Sequence, residues 1–224
     1  MADTKEGPKM TEEARSLDPL RITVGNLKGG VARSTTSMLL ALALHRRTGE
    51  RVFVVDADGA NGTSYEWSEF AGDDWPEGVT VVYMPSQMLA KRVTQMWPEG
   101  HLIIDTGNDS TTLRQALMVT DHLLMPIAAT PAEATRLTPT LTAAAEVASI
   151  KPIELSILFT RTKPKTISFR EAYEQLKTLE TEDLRVLETN VPFEILYSQS
   201  FGTVPDRLGA YADVLEEIIE RSSQ

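Results

Sequence analysis

Hydrophobic positions in this chain come as short β-branched runs separated by longer stretches with helical spacing. Arg21-Ile22-Thr23-Val24-Gly25 is the first run, and Arg51-Val52-Phe53-Val54-Val55-Asp56 is the second. Val79 to Tyr83, His101 to Asp105, His122 to Pro126, Leu155 to Thr160 and Leu184 to Glu188 continue the series. Between them, helical patterns begin at Ser34 and run from Gln87 to Met96, Ala132 to Ser149, Ile167 to Leu179 and Asp206 to Glu220. Strand and helix signals in alternation predict βαβ units, hence an α/β fold with a mostly parallel, twisted sheet flanked by helices on both faces. The helix opened by Ser34 is expected to stop near Gly49, with His45, Arg46 and Arg47 at its negative dipole end.

The length, 224 residues, suits one domain that needs no covalent staples. Met1 to Pro19 is polar and carries no apolar stretch, so residues 1–19 read as a flexible arm and 20–224 as the domain. The absence of cysteine excludes disulfides, thiolate metal sites and a cysteine nucleophile. No apolar run approaches the roughly 18 residues of a membrane span, and the expected location is cytoplasmic, with no membrane partner. A net charge of −10 means that any contact with nucleic acid must come from a local basic patch.

Between the first strand and the first helix lies Lys28-Gly29-Gly30-Val31-Ala32-Arg33-Ser34-Thr35. A strand, a glycine-rich loop and a helix in this order build an anion site. Backbone N–H groups converge on phosphate oxygens, and the helix start adds about half a positive charge. Ser34 can place its hydroxyl on a magnesium ion. Acids end two later strands, Asp56 and Asp105, and Asp58 follows closely. Open α/β sheets bind ligands beyond the carboxyl ends of their strands, which is where these residues fall.

The segment from Asn26 to Thr36 resembles the deviant Walker A loop, K-G-G-x-G-K-[ST]-T, of the ParA/MinD family. Val55-Asp56-Ala57-Asp58 resembles that family's acidic second-strand segment, and Ile103-Ile104-Asp105-Thr106 its Walker B strand. Val191-Pro192-Phe193, followed by Phe201 to Pro205, is similar to its late segment near the adenine. The resemblance implies a single-domain P-loop NTPase, closest to small ParA-type partition proteins. It implies ATP or ADP with Mg2+ as ligands and slow ATP hydrolysis. It further implies a homodimer closed around ATP, non-specific DNA binding on the nucleoid and a centromere-binding adaptor protein, together segregating plasmid or chromosomal DNA. Lys28 would reach the partner subunit's phosphates, and Asp58 would position the attacking water. Gly29, Gly30, Val31, Ala32, Arg33, Ser34, Thr35, Thr160 and Pro192 join Lys28 as nucleotide-binding residues, with Ser34, Asp56 and Asp105 around the metal.

This chain departs from the pattern in the loop and at Gly59-Ala60, which stand where the family usually has Pro-Gln. Ala32 and Arg33 stand where the family has Gly and Lys. Arg keeps the charge but is longer, planar and forked, so the exchange is not conservative. If position 32 requires a positive φ, the methyl costs on the order of 1–2 kcal/mol. These changes support an alternative, a nucleotide-regulated adaptor with little or no turnover. A dethiobiotin-synthetase-like ligase is a third possibility.

Arg161, Lys163, Lys165 and Arg170 form the densest basic cluster and are the candidate DNA contacts. The acids Glu216, Glu217 and Glu220 speak against a basic membrane-binding C-terminal helix. His45, His101 and His122, scattered without metal-ligand spacing, read as structural, and Trp67, Trp75 and Trp97 as packing residues.

Overall fold

The computed structural model describes residues 17–96 and 99–222, so most of the expected arm and Trp97 lie outside the described residues. Packing has already begun at Leu17, which lies against the core, and the Leu20 N–H donates to His101 Nδ1 at 3.0 Å.

Seven strands form one parallel sheet: β1 (Arg21–Val24), β2 (Val52–Asp56), β3 (Val79–Tyr83), β4 (His101–Asp105), β5 (His122–Ala128), β6 (Glu154–Thr160) and β7 (Leu184–Val186). Their spatial order is β3-β2-β4-β1-β5-β6-β7. Among the described residues nine helices connect and cover them: α1 (Arg33–Thr48), α2 (Thr63–Ala71), α3 (Leu89–Met96), α4 (Ser110–Leu117), α5 (Pro131–Ala134), α6 (Thr138–Ala148), α7 (Ile167–Lys177), α8 (Ile195–Ser198) and α9 (Ala210–Ser222). Two short 3₁₀ turns lie at Gly72–Asp74 and Thr135–Leu137.

Alternation along the strands sorts the core into two layers. Val52, Val54, Ile103 and Leu124 face α1, α2 and α9. Their neighbours Phe53, Val55, Leu102 and Ile104 face α3 and α4, while Leu123 and Met125 face α4, α6 and α7. Coverage on both sides is why these strands carry unbroken apolar runs. Helix α1 is buried continuously from Thr36 to Leu44 and packs along α9. It ends as expected at Gly49, φ 72°, whose N–H donates to His45 O at 2.8 Å.

The expected helix from Ala132 to Ser149 is interrupted. It consists of α5, a 3₁₀ turn and α6, with Pro139 in the first turn of α6. Proline in a helix interior removes an i→i−4 bond and clashes with the preceding turn, so the continuous reading was untenable at Pro139. Strand β5 runs past Pro126 to Ala128, two residues beyond expectation. The last helix begins at Ala210 rather than near Asp206, after Gly209 with φ 56°.

Sheet register assembles the strand ends. Asp56 pairs with Asp105 across β2 and β4, and Asp105 pairs with Val24 across β4 and β1. The loop leaving β1 therefore starts beside two carboxylates. It does so where the chain diverges to either side of β1, the position at which doubly wound sheets bind ligands.

Candidate functional site

The loop after β1 is built from its backbone outward. Gly25 is closely surrounded: a Cβ there would lie 2.7 Å from Leu113 Cδ1 and 3.0 Å from Thr106 Oγ1, so a larger residue would need those side chains to shift. Asn26 Nδ2 donates to Pro126 O at 2.9 Å, and its Oδ1 accepts the Lys28 N–H at 3.0 Å. Thr140 Oγ1 accepts the Leu27 N–H at 3.0 Å. These contacts anchor the loop entry to β5 and α6, and neither Asn26 nor Thr140 stands out in the sequence as a site residue.

The far side of the loop is anchored to β6. Thr160 Oγ1 donates to Val31 O at 3.2 Å, and Arg161 Nη1 donates to Gly30 O at 2.9 Å. Arg161 has φ 51°, an uncommon conformation for a non-glycine residue that directs its side chain onto the loop. Of the expected DNA cluster, Lys163, Lys165 and Arg170 are exposed beyond it, while Arg161 is engaged at the loop.

Ala32 adopts φ 68°, ψ 33°, so the left-handed position is real and the methyl strains it by about 1–2 kcal/mol. Arg33, the first residue of α1, folds back across the loop. Its Nη1 donates to Asn26 O at 2.8 Å and to Lys28 O at 2.5 Å. Burial lowers the Arg33 pKa, and the fields of Asp105 and Asp58 act in the opposite direction. Lys28 extends to the carboxylate of Glu133 on α5, with which it forms an ion pair.

The three acids occupy different positions. Asp56 is fully buried and accepts backbone N–H groups with both oxygens, from Asp58 at 3.1 Å and Tyr65 at 2.9 Å. Its pKa is raised chiefly by burial. Asp58 holds the turn after β2, accepting the Ala60 N–H and the Asn61 Nδ2 at 3.0 Å each. Asp105 accepts the Ser64 hydroxyl at 2.7 Å through Oδ2, whereas its Oδ1 is buried without a hydrogen-bond partner. Desolvation, then repulsion from Asp56, pushes the Asp105 pKa up to about 7, partly offset by the hydroxyls of Ser34 and Ser64 and the charge of Arg33.

An orphaned buried oxygen beside a serine hydroxyl fits a hard divalent cation, either directly or through a bound water. Magnesium characteristically takes one or two protein oxygens, with waters and substrate phosphates completing its shell. Among the described residues no group of three or more His, Asp or Glu is placed to hold a metal ion.

Beside the loop opens a cavity of about 280 Å³, lined by Thr35, Trp67, Arg161, Pro192, Phe193 and Tyr197 among others. Pro192 is set there because the 191–193 segment runs alongside the end of β6, with Thr162 N–H donating to Val191 O at 3.0 Å. Trp67 forms a buried wall, its indole N–H donating to Thr203 O at 2.8 Å and its ring edge-on to Phe201. Tyr211 closes the inner end, with its hydroxyl 3.0 Å from Thr36 Oγ1 on the first turns of α1. Ala32, Thr35, Thr160 and Pro192 share this cavity, whereas Asp58 lines a separate cleft with Gly59, Gly107 and Asn108, and Asp105 is buried beside the strand that leads into the loop.

The histidines have structural surroundings. His45 Nδ1 meets Glu50 O at 2.8 Å, and His101 and His122 are buried at the starts of the central strands β4 and β5, at the end of the sheet opposite the loop. Trp75, like Trp67, packs, and its indole N–H donates to Val79 O at 2.7 Å. No helix among the described residues is long and apolar enough to cross a membrane.

Residues 20–80 match a family described as an AAA domain. The maintenance of carboxysome distribution protein A of Gloeobacter kilaueensis is 28% identical over 174 residues, 76% of this chain and 75% of that protein. A plasmid partition protein from Borrelia burgdorferi, bound to AMPPNP, superposes with a TM-score of 0.68 at 22% identity, covering 91% of this chain and 99% of that one. Cobyrinic acid a,c-diamide synthase from Mycobacterium smegmatis, with an ATP analogue and magnesium, shares the fold at a TM-score of 0.69 and 18% identity, over 92% of this chain and 96% of that one. The early lysine and the strand-end acids resemble the ParA/MinD pattern, and over most of its length the chain is similar in fold to these P-loop proteins.

Proposed function

We propose that the protein is a ParA-like positioning ATPase that binds ATP with magnesium, dimerises around it, and hydrolyses it slowly. The observation that carries this reading is the loop geometry. Lys28 precedes the glycine pair and projects away from the loop that it introduces, while Arg33 fills the place of the second cation. Held off the loop by Glu133 of its own subunit, the Lys28 ammonium would have to leave that carboxylate to meet a phosphate on a second subunit.

In this scheme the 29–35 backbone and Arg33 hold the phosphates, and Thr160 and Pro192 belong to the base side. Ser34 and Asp105 would hold a magnesium ion, which when bound would supply charge neutralisation to the phosphates. Asp56 braces the switch backbone, and Asp58 orients the attacking water. Phosphoryl transfer depends mainly on positioning and charge stabilisation, so these groups suffice. A DNA surface at Lys163, Lys165 and Arg170, a centromere-binding or cargo adaptor and a cytoplasmic, nucleoid-associated location complete the reading.

Light scattering with ADP, ATP and a non-hydrolysable analogue tests it. A dimer with the triphosphates alone supports the sandwich, and a monomer in all three states refutes it. The second reading, a nucleotide-regulated adaptor without turnover, draws on the left-handed Ala32 and the engaged Arg33. Steady-state ATPase rates with DNA and an adaptor, compared with Lys28→Ala, separate the two.

A further inference from the structure

Four carbonyls of the phosphate loop are held by side chains. Arg33 takes Asn26 O and Lys28 O, Arg161 takes Gly30 O, and Thr160 takes Val31 O. A peptide unit is planar, so fixing its carbonyl also fixes the direction of the N–H on the same plane. Between these struts lies Ala32, whose left-handed backbone disfavours any Cβ. Glycine would adopt that conformation without help.

The arginine at position 33 is chemically suited to the gap. Both N–H groups of Nη1 are used on the two carbonyls, which leaves Nε and Nη2 with three further donors. An ammonium has three N–H groups in all, so the same staple would leave one for a phosphate.

We propose that Ala32 and Arg33 are a compensating pair, in which the Arg33 staple holds the left-handed turn at Ala32 and keeps the phosphate loop formed before nucleotide arrives. Arg33 is in this respect a positioning residue, with its remaining donors free for the anion. The inference rests on the nucleotide reading only for the identity of that anion.

A double-mutant cycle of Arg33→Lys, Ala32→Gly and the two combined tests the pair, with two readouts on the full chain. The first is amide hydrogen exchange of residues 28–32 without nucleotide, which needs no ligand. The second is calorimetric affinity for ADP and ATPγS with magnesium. Arg33→Lys is expected to speed exchange and weaken binding by about tenfold each, and adding Ala32→Gly to return both to within about threefold of the parent. Ala32→Gly is expected to alter both readouts more in the Arg33→Lys background than in the parent, where the staple already holds the turn.

Additive effects, with no rescue by glycine, overturn the proposal, as does unaltered loop exchange in Arg33→Lys. If the parent binds neither nucleotide while exchange shows the rescue, the staple stands and the ATPase reading falls.

Discussion

The ammonium of Lys28 rests on the carboxylate of Glu133, and Arg136 Nη1 stands 3.9 Å from the same Oε1 atom. Glu133 is mostly buried, and its Oε2 has no hydrogen-bond partner. The residue expected to cross to a second subunit is therefore paired within its own subunit in this structure.

For Lys28 to reach a partner's phosphates, this ion pair must part. Glu133→Gln is expected to lower the ATP concentration at half-dimerisation by about fivefold, since a partly exposed pair contributes on the order of 1 kcal/mol. Lys28→Ala should abolish triphosphate-dependent dimerisation. A midpoint that does not fall in Glu133→Gln, measured by light scattering, counts against the hold.

Asp105 provides a pH signature. Its pKa is raised to about 7, so between about pH 4 and 7 the folded state retains a proton that the unfolded chain has lost. This costs stability as pH rises through that window. Asp105→Asn should then stabilise the nucleotide-free protein by on the order of a few kcal/mol at pH 8 and by much less at pH 4. The same variant should lose magnesium-dependent tightening of nucleotide. Thermal unfolding across pH checks the first part, and equal gains at both pH values would remove the ionisation argument.

Arg161 and its basic neighbours should separate functionally. Arg161→Ala removes the strut to Gly30 and a wall of the cavity, and is expected to weaken nucleotide binding several-fold. Charge reversal at Lys163 and Lys165 should leave nucleotide affinity alone. It should weaken DNA binding uniformly and reduce the slope of log K against log salt by about 2. DNA titrations at three salt concentrations decide the matter, and an unchanged slope places the DNA surface elsewhere.

His122 predicts acid sensitivity. It is buried at the start of β5, with Glu154 Oε2 3.7 Å from Nδ1 and Arg221 nearby, and neither ring nitrogen has a hydrogen-bond partner. Desolvation, then the charge of Arg221, lowers its pKa to about 3. The unfolded chain binds the proton first as pH falls below about 6.5, so stability is lost on acidification. His122→Leu should flatten the fall in melting temperature between pH 6 and 4, and a profile as steep as the parent's would assign the acid loss to other groups.

The elements that the sequence made legible are those with a local cause. Strands such as Val52–Asp56 and His101–Asp105 announce themselves by apolar runs, and the loop by glycines between a strand and a helix. What stayed hidden depends on register and distant partners. Ser64 meets Asp105, and Thr140 meets Leu27 and Asn26, across long chain separations with no local pattern. Arg161 reads as part of a basic run because charge spacing is visible in one dimension, whereas its φ of 51° is not. Pro139 was a local signal, and the uninterrupted helix from Ala132 overlooked it.

Trp67 gives the cavity an optical property of its own. Its indole is a buried wall of the space beside the loop, edge-on to Phe201. A ligand entering that space alters the polarity and packing around the ring, so emission from Trp67 registers occupancy without any attached dye. With Trp75 and Trp97 replaced, a change in emission on adding ligand is expected to report the filling of this cavity.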